Sequence, residues 1–394
     1  IGRKSLDAGR LKASVIKEVD ANRSQLGELS LKIHANPELG FQEVKAAGWL
    51  TQYLEQNGFS IEQGICELPT AFKASYGQGK PVVAILAEYD ALPNLGHACG
   101  HNLIAACAVG AGVASKLAID RLGGTMLVIG TPAEEGYAGK AIMADRGAFD
   151  NLDAAMMVHP SQYNSAIFYS LAGQTLEVEF FGRAAHAAKE PETGINALEA
   201  MLLSFAAINS LRQHIKDKAR IHGIITDGGA AANIVPAHSA ASFRVRAEND
   251  AYLDELKQKV LNCFVAAAMA SGARLEYRWG GHYAAMRSNL TLAQLFSQNM
   301  QFLGRELRVP DPNEGRGGTD MGNVSQLAPS IHGYVSITST EVGDHTPQFA
   351  SAAASEAGIH GLLDGAKALA MTVVDLLANP EIVIKVKEEF RQGK

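Results

Sequence analysis

Cysteine is scarce. Cys66, Cys99, Cys107 and Cys263 are the only four in 394 residues, too few and too irregularly spaced for a disulfide framework. A reducing compartment suits such a chain better. A basic excess is also missing: 35 Lys and Arg stand against 41 Asp and Glu, a net charge of −6. No nucleic-acid partner is expected from that balance. No uninterrupted run of about 20 apolar residues is visible. The longest candidate, Leu103 to Ala118, contains Ser115 and Lys116 and reads as too short to span a bilayer. The chain opens on Ile1 without a basic segment leading into an apolar run, so no secretory signal is expected, although an upstream piece can be missing. A cytoplasmic location without membrane contact is the expectation. The 39 glycines have no three-residue period, and no internal repeat or low-complexity linker occurs.

What is present is a large apolar fraction, 47 % against 19 % charged residues, enough for a substantial core. The length predicts two or three domains. Short continuous apolar runs at Pro81–Ala87, Thr125–Gly130 and Ala154–Val158 read as strands buried on both faces. They alternate with helical patterns at Gly40–Gly58, Leu103–Leu117 and Ala138–Arg146, and a helix is expected within Ile1–Glu28. That wiring predicts α/β architecture with a mostly parallel sheet. From Thr175 the texture changes to strand–helix–strand–strand–helix–strand: 175–181, 196–214, 220–226, 239–247, 252–270 and 274–279. This is the pattern of a ferredoxin-like α+β unit. The α/β texture resumes near Asn289, with a strand at Gly333–Ile337 and a helix near Ile359–Ala378. The expected organisation is one catalytic domain, residues 1–171 and 284–394, interrupted by an inserted α+β domain, residues 172–283.

The densest chemical signal is A-E-Y-D-A-L-P-N-L-G-H-A-C-G-H-N, from Ala87, directly after a buried strand. Cys99 and His101 would diverge on a helix, but in a loop Gly100 lets both aim at one centre. Thiolate and imidazole are good ligands for zinc-like metals; a buried Cys beside a helix-capping His is the plainer alternative. His97 reads as structural. T-P-A-E-E-G, from Thr131, places Glu134 and Glu135 side by side after another strand. Adjacent acids there need a cation or partner, unless they simply decorate a helix N-terminus. Val158-His159-Pro160 and Asp344-His345-Thr346-Pro347 add two histidines in comparable places. Several strand-end loops thus offer metal-compatible groups. In the inserted region, A-A-H-A around His186, N-I-V-P from Asn233, and Arg244 with Arg246 on one strand face form a separate polar group. An Arg with an Asn suits a carboxylate, though two cations on a solvated strand face fit the pattern equally. Gly317-Gly318-Thr319-Asp320 reads as backbone donors or a helix cap.

In order, H-A-N-P-E-L-G-F-Q-E from His34, A-E-Y-D-A-L-P, G-H-A-C-G-H-N, T-P-A-E-E-G, A-A-H-A, N-I-V-P-A, G-G-T-D-M-G-N-V-S from Gly317 and G-D-H-T-P from Gly343 resemble peptidase family M-twenty, in its amidohydrolase branch. The resemblance implies a metal-dependent catalytic domain with an inserted lid that dimerises. It implies Cys99, His101, Glu135, His159 and His345 as ligands of two divalent ions, zinc, manganese or cobalt. It makes Glu134 the general base, His186 the oxyanion-stabilising residue, often supplied by the partner subunit, and Asp90 the acid orienting a ligand imidazole. Asn233 and Arg246 would receive the substrate carboxylate, with Arg244 as the alternative. The implied substrate is a small molecule, such as an N-acyl amino acid, a dipeptide or an aminobenzoyl-glutamate-like amide. The chain departs from the wider family at Glu88-Tyr89-Asp90, where H-x-D is usual. The missing histidine leaves open what Glu88 does. A deaminase on the same centre, a non-catalytic binding protein and a cysteine hydrolase using Cys99 and His101 are the rival readings. The last leaves the other histidines and acids unexplained.

Overall fold

The computed structural model describes residues 2–311 and 317–392. In chain order the elements are helices α1 (Gly2–Ala21), α2 (Arg23–His34) and α3 (Val44–Gln56), then strands β1 (Ser60–Gln63), β2 (Phe72–Gln78) and β3 (Val82–Ala87). Next come α4 (His101–Leu122), β4 (Gly124–Gly130), α5 (Gly139–Asp145) and β5 (Ala154–Ser161). There follow β6 (Ala172–Phe181), α6 (Ala197–Leu211), β7 (Arg220–Asp227), β8 (His238–Ala247), α7 (Asp250–Ser271) and β9 (Arg274–Tyr283). The chain closes with α8 (Leu290–Phe302), α9 (Met321–Leu327), β10 (Ser330–Ser336), α10 (Pro347–Ala353), α11 (Glu356–Ala378) and α12 (Pro380–Gln392). Contacts divide it into two compact units. The first holds residues Ile1–Tyr169, Met286–Gly315 and Asp320–Lys394; the second holds Ser170–Ala285 and Arg316–Thr319.

The first unit is built on a sheet of order β1-β2-β4-β3-β5-β10. Strands β4, β3, β5 and β10 run parallel, and β1 and β2 add an antiparallel edge. Strand β3 connects to β4 on one side, and β5 lies on its other side. The strand order therefore reverses at β3, and in open α/β sheets sites form outside the carboxyl ends at such a point. The apolar run after β3 is longer than the sequence suggests. Helix α4 reaches from His101 to Leu122, and by length and composition it is apolar enough to cross a membrane. However, 89 % of its most apolar stretch is buried inside the protein, so here it serves as the central core helix. It packs with α11 in a cluster that includes Val109, Val113, Leu369 and Val373.

Local chemistry trims the other expected elements. Helix α3 starts at Val44 rather than near Gly40, because the Glu38 carboxylate accepts the Lys45 and Ala46 backbone N–H groups, each at 3.0 Å. The N-terminal helical pattern breaks at Asn22 into α1 and α2.

The second unit is an antiparallel sheet, β7-β8-β6-β9, packed on α6 and α7. Asn196 and Asn249 cap the two helices by accepting the Glu199 and Tyr252 N–H groups. Side chains along β8 alternate between buried and half-buried, as expected for a sheet with one covered face. Phe243 points into the core, its ring 4.8 Å from Phe205 and 5.2 Å from Phe264. Phe243→Ala should destabilise this unit by about 3–5 kcal/mol. Hydrogen exchange should show protection lost across β6–β9 and retained in α4 and α11; uniform loss would mean that the two cores unfold as one.

Candidate active site

The loops after β3 and β4, the end of β5 and the loop after β10 meet in the first unit. Cys99, His101 and His159 form one trio of potential ligands, Cys99, Glu135 and His345 a second, and His101, Glu134 and Glu135 a third. Within each trio the donor atoms lie within 4.8 Å of one another. The structure thus brings together Cys99, His101, Glu134, Glu135, His159 and His345, which are far apart in sequence. Cys99 Sγ lies 3.5 Å from His159 Nε2, and His345 Nε2 lies 3.3 Å from Glu135 Oε1.

Gly100 makes the Cys-Gly-His geometry possible. It has φ +76° and caps α4, so Cys99 stays in the loop while His101 begins the helix. A Cβ there would also meet Pro160 Cγ at 2.4 Å. The acidic pair does not open a helix: α5 begins later, at Gly139. Glu134 follows Ala133, which holds a left-handed φ of 59°. Glu43 pins that turn. It is fully buried, accepts the Ala133 N–H at 2.8 Å, and receives the Thr70 hydroxyl at 2.9 Å. His345 also has positive φ, 58°, and its N–H donates to Ala98 O at 2.9 Å, joining the β10 loop to the cysteine loop.

Ring partners set the tautomers. His101 Nδ1 lies 3.0 Å from Asp90 Oδ1, so Nε2 is the nitrogen left for a ligand. Asp90 Oδ2 accepts the Glu135 N–H at 2.9 Å, so one carboxylate orients two candidate ligands. His159 Nδ1 donates to Pro160 O at 2.7 Å, which leaves its Nε2 toward Cys99. His332, unremarked in the sequence, stacks on His159 with ring centres 5.5 Å apart; burial pushes it down to about 3, so it is neutral. His97 is buried with neither ring nitrogen hydrogen-bonded, and burial likewise lowers it to about 3.

Burial raises Glu134 well above the carboxylate range, reinforced by the charges of Asp320, Glu88 and Glu135. Burial raises the Cys99 thiol as well. It opposes protonation of His101, but Asp90 and Cys99 outweigh it and raise that group. These groups fit a divalent cation. The thiol, imidazoles and carboxylates are a donor set for zinc-like metals, and buried His101 Nε2 has no hydrogen-bond partner. Such a cation would take the place of the protons these groups otherwise hold.

Lys140 carried no signal in the sequence, and Asp320 read only as part of a helix cap or donor loop. Asp320 precedes α9 but does not cap it; its carboxylate binds Lys140 instead. Within the second unit, the His186 and Asn233 segments pair. Ala187 N–H donates to Asn233 O at 3.1 Å, and His186 bridges Ile234. Arg246 is not with them. They adjoin the start of β8, while Arg246 pairs with Gly173 near its end. The length of β8 puts about 26 Å between the two ends. Arg244 Nη1 donates to Thr175 Oγ1 at 2.9 Å, and its guanidinium lies over the Tyr283 ring.

Residues 173–269 match the family model of a peptidase dimerisation domain. The chain is 38 % identical to an Xaa-Arg dipeptidase of Mus musculus, across 97 % of this chain and 92 % of that one. The chain belongs to peptidase family M-twenty. As a member of M-twenty it is a metal-binding hydrolase of carbon–nitrogen amide bonds. It is also 34 % identical to a p-aminobenzoyl-glutamate hydrolase chain of Escherichia coli, across 73 % of this chain and 64 % of that one. Two solved structures share the fold. One is a dinuclear metal-binding M-twenty peptidase of Bacillus subtilis, with TM-score 0.69, 21 % identity, and 91 % and 99 % of the two chains covered. The other is an aminobenzoyl-glutamate utilization protein of Klebsiella pneumoniae, with TM-score 0.72, 18 % identity, and 91 % and 97 % covered.

Burial also raises Glu43, to about 7, with the charge of Asp90 adding to the effect. The folded state therefore holds a proton that the unfolded chain releases from about pH 4.5. The contribution is full below that pH and is lost as pH rises toward 7, about 3 kcal/mol in all. In metal-free protein, Glu43→Gln should flatten this part of the stability–pH curve measured by urea unfolding. An unchanged slope would remove Glu43 as its source.

Proposed function

We propose that this M-twenty hydrolase is a dipeptidase or N-acyl-amino-acid amidohydrolase for small substrates with a free carboxylate. Cys99, His101, Glu135, His159 and His345 would hold two divalent ions, zinc, manganese or cobalt. The observation that carries the reading is the convergence of these groups with Glu134 at the strand ends. A divalent centre supplies Lewis-acid polarisation of the carbonyl and lowers the pKa of water. The chain's residues do the rest. Glu134 takes the proton of the attacking water and returns it to the leaving amine. Asp90 fixes the His101 ring and the Glu135 backbone. His186 donates to the developing oxyanion, and Asn233 and Arg246 hold the carboxylate.

The separation along β8 bears on how these last groups act. One small substrate cannot bridge both ends of that strand, so His186 and Asn233 serve the neighbouring subunit of a homodimer. The dimerisation-domain match supports this, as does strand β7, a sheet edge exposing Ile224 and Ile225. The Xaa-Arg dipeptidase relative favours dipeptides with a basic C-terminal residue as first substrates to test.

The test is amine release from Xaa-Arg dipeptides, N-acyl amino acids and aminobenzoyl-glutamate, using chelator-stripped enzyme and enzyme reloaded with zinc, manganese or cobalt. Cleavage restored only by metal is expected, with an Xaa-Arg dipeptide leading. Activity that survives chelation would favour the cysteine-hydrolase alternative. Glu134→Gln should retain metal and lose activity by at least about 100-fold; wild-type turnover in that variant would remove Glu134 as the base.

A further inference from the structure

Lys140 is a buried charge that this mechanism does not use. It lies near the start of α5 with no exposed side-chain surface. Its Nζ donates to Glu88 Oε1 at 2.5 Å and to Asp320 Oδ1 at 2.6 Å. Asp320 Oδ2 also accepts the Lys140 backbone N–H at 2.8 Å, so the lysine is held by Asp320 at both ends. Glu88 and Asp320 are themselves buried. The other oxygen of Glu88 lies 3.5 Å from His101 Nε2, the nitrogen left for ligation.

That separation is informative. Two ligands about 2.1 Å from one tetrahedral ion are roughly 3.4 Å apart. Glu88 Oε2 therefore stands at ligand spacing from His101, while Glu88 Oε1 is committed to the ammonium. A carboxylate so placed serves either a lysine or a metal. A lysine ammonium cannot be displaced without leaving a buried charge uncompensated.

We propose that Lys140 is a positioning residue of the metal centre: its ammonium keeps Glu88 and Asp320 as its own counter-ions and so holds both carboxylates out of the cation's ligand set. The inference rests on the metal-centre reading above. It also gives Glu88 its role, an outer carboxylate facing His101 in place of a ligand. Removing the ammonium leaves two buried carboxylates with no fixed cation, one of them, Glu88, beside His101, a pair that recruits a further divalent ion.

Manganese binding to chelator-stripped protein tests this. Ions per chain are counted by electron paramagnetic resonance and elemental analysis, and affinity is measured by chelator competition. Lys140→Met should bind about one more Mn(II) per chain than the wild type, or bind it at least tenfold tighter. The double variant Glu88→Gln/Lys140→Met should return to the wild-type count, and Lys140→Arg should match the wild type. An unchanged count and affinity in folded Lys140→Met overturns the proposal. Glu88→Gln with Lys140 in place gives a second test that does not depend on that variant folding. It should leave the ion count unchanged and the affinity within about threefold, since Glu88 is not a ligand there. Loss of an ion, or tenfold weaker binding, would make Glu88 a ligand and overturn the proposal. A wild type that binds no Mn(II) or other divalent ion would instead sink the metal-centre reading itself, and the proposal with it.

Discussion

The constraint on which the site depends is the repulsion among carboxylates gathered at the carboxyl end of an apolar sheet. Glu88, Asp90 and Asp320 are buried there, with Glu134 and Glu135 beside them. Burial disfavours every one of these charges. Lys140 answers part of the demand: it holds Glu88 down to about 2, while burial keeps Asp320 up near 6 despite the same ammonium. Asp90 is shared between an imidazole and a backbone N–H. The remaining demand, on the side of Cys99, His101 and Glu135, is the demand a divalent cation meets.

The scaffold around this cluster is built to resist adjustment. Parallel strands fix where the loops begin, and α4 anchors His101 directly to the core helix. The turns that carry the acids and His345 are held in left-handed backbone at Ala133 and His345. Such conformations persist only where surrounding bonds fix them. Glu43 supplies one of these bonds, and the Ala98 carbonyl supplies another. Much of the H-A-N-P-E-L-G-F-Q-E segment therefore serves the site without chemistry of its own. Glu38 starts α3, and its backbone carbonyl receives the Ala91 N–H at 2.8 Å beside the Glu88–Asp90 loop.

The second unit is organised differently. Its groups sit at the two ends of one strand, and a strand cannot bend to bring its ends together. In the proposed mechanism, what joins His186 and Asn233 to Arg246 would come from outside a single copy of this unit. In the homodimer proposed above, each chain's site would be completed by the other, and the dimerisation domain would then have a chemical purpose beyond stability.

The amino-acid pattern alone determined the alternation of buried strands and helices, the change to an α+β texture after Thr175, and the short motifs at strand ends. These are local properties: hydrophobic period and turn chemistry are written in neighbouring residues. The helix read at Leu103–Leu117 falls short at both ends, since α4 runs from His101 to Leu122. The start of α3 was misplaced because its cap, Glu38, lies several residues upstream. Lys140 looked like one residue of a short helix, and Asp320 like a cap. Only tertiary structure made them partners, since nothing local ties together positions 88, 140 and 320. The same holds for Asn233 and Arg246, whose chemistry suggested a pair while the length of β8 keeps them apart. Residue type states which charges a chain carries, but the fold alone decides which of them must share one buried space.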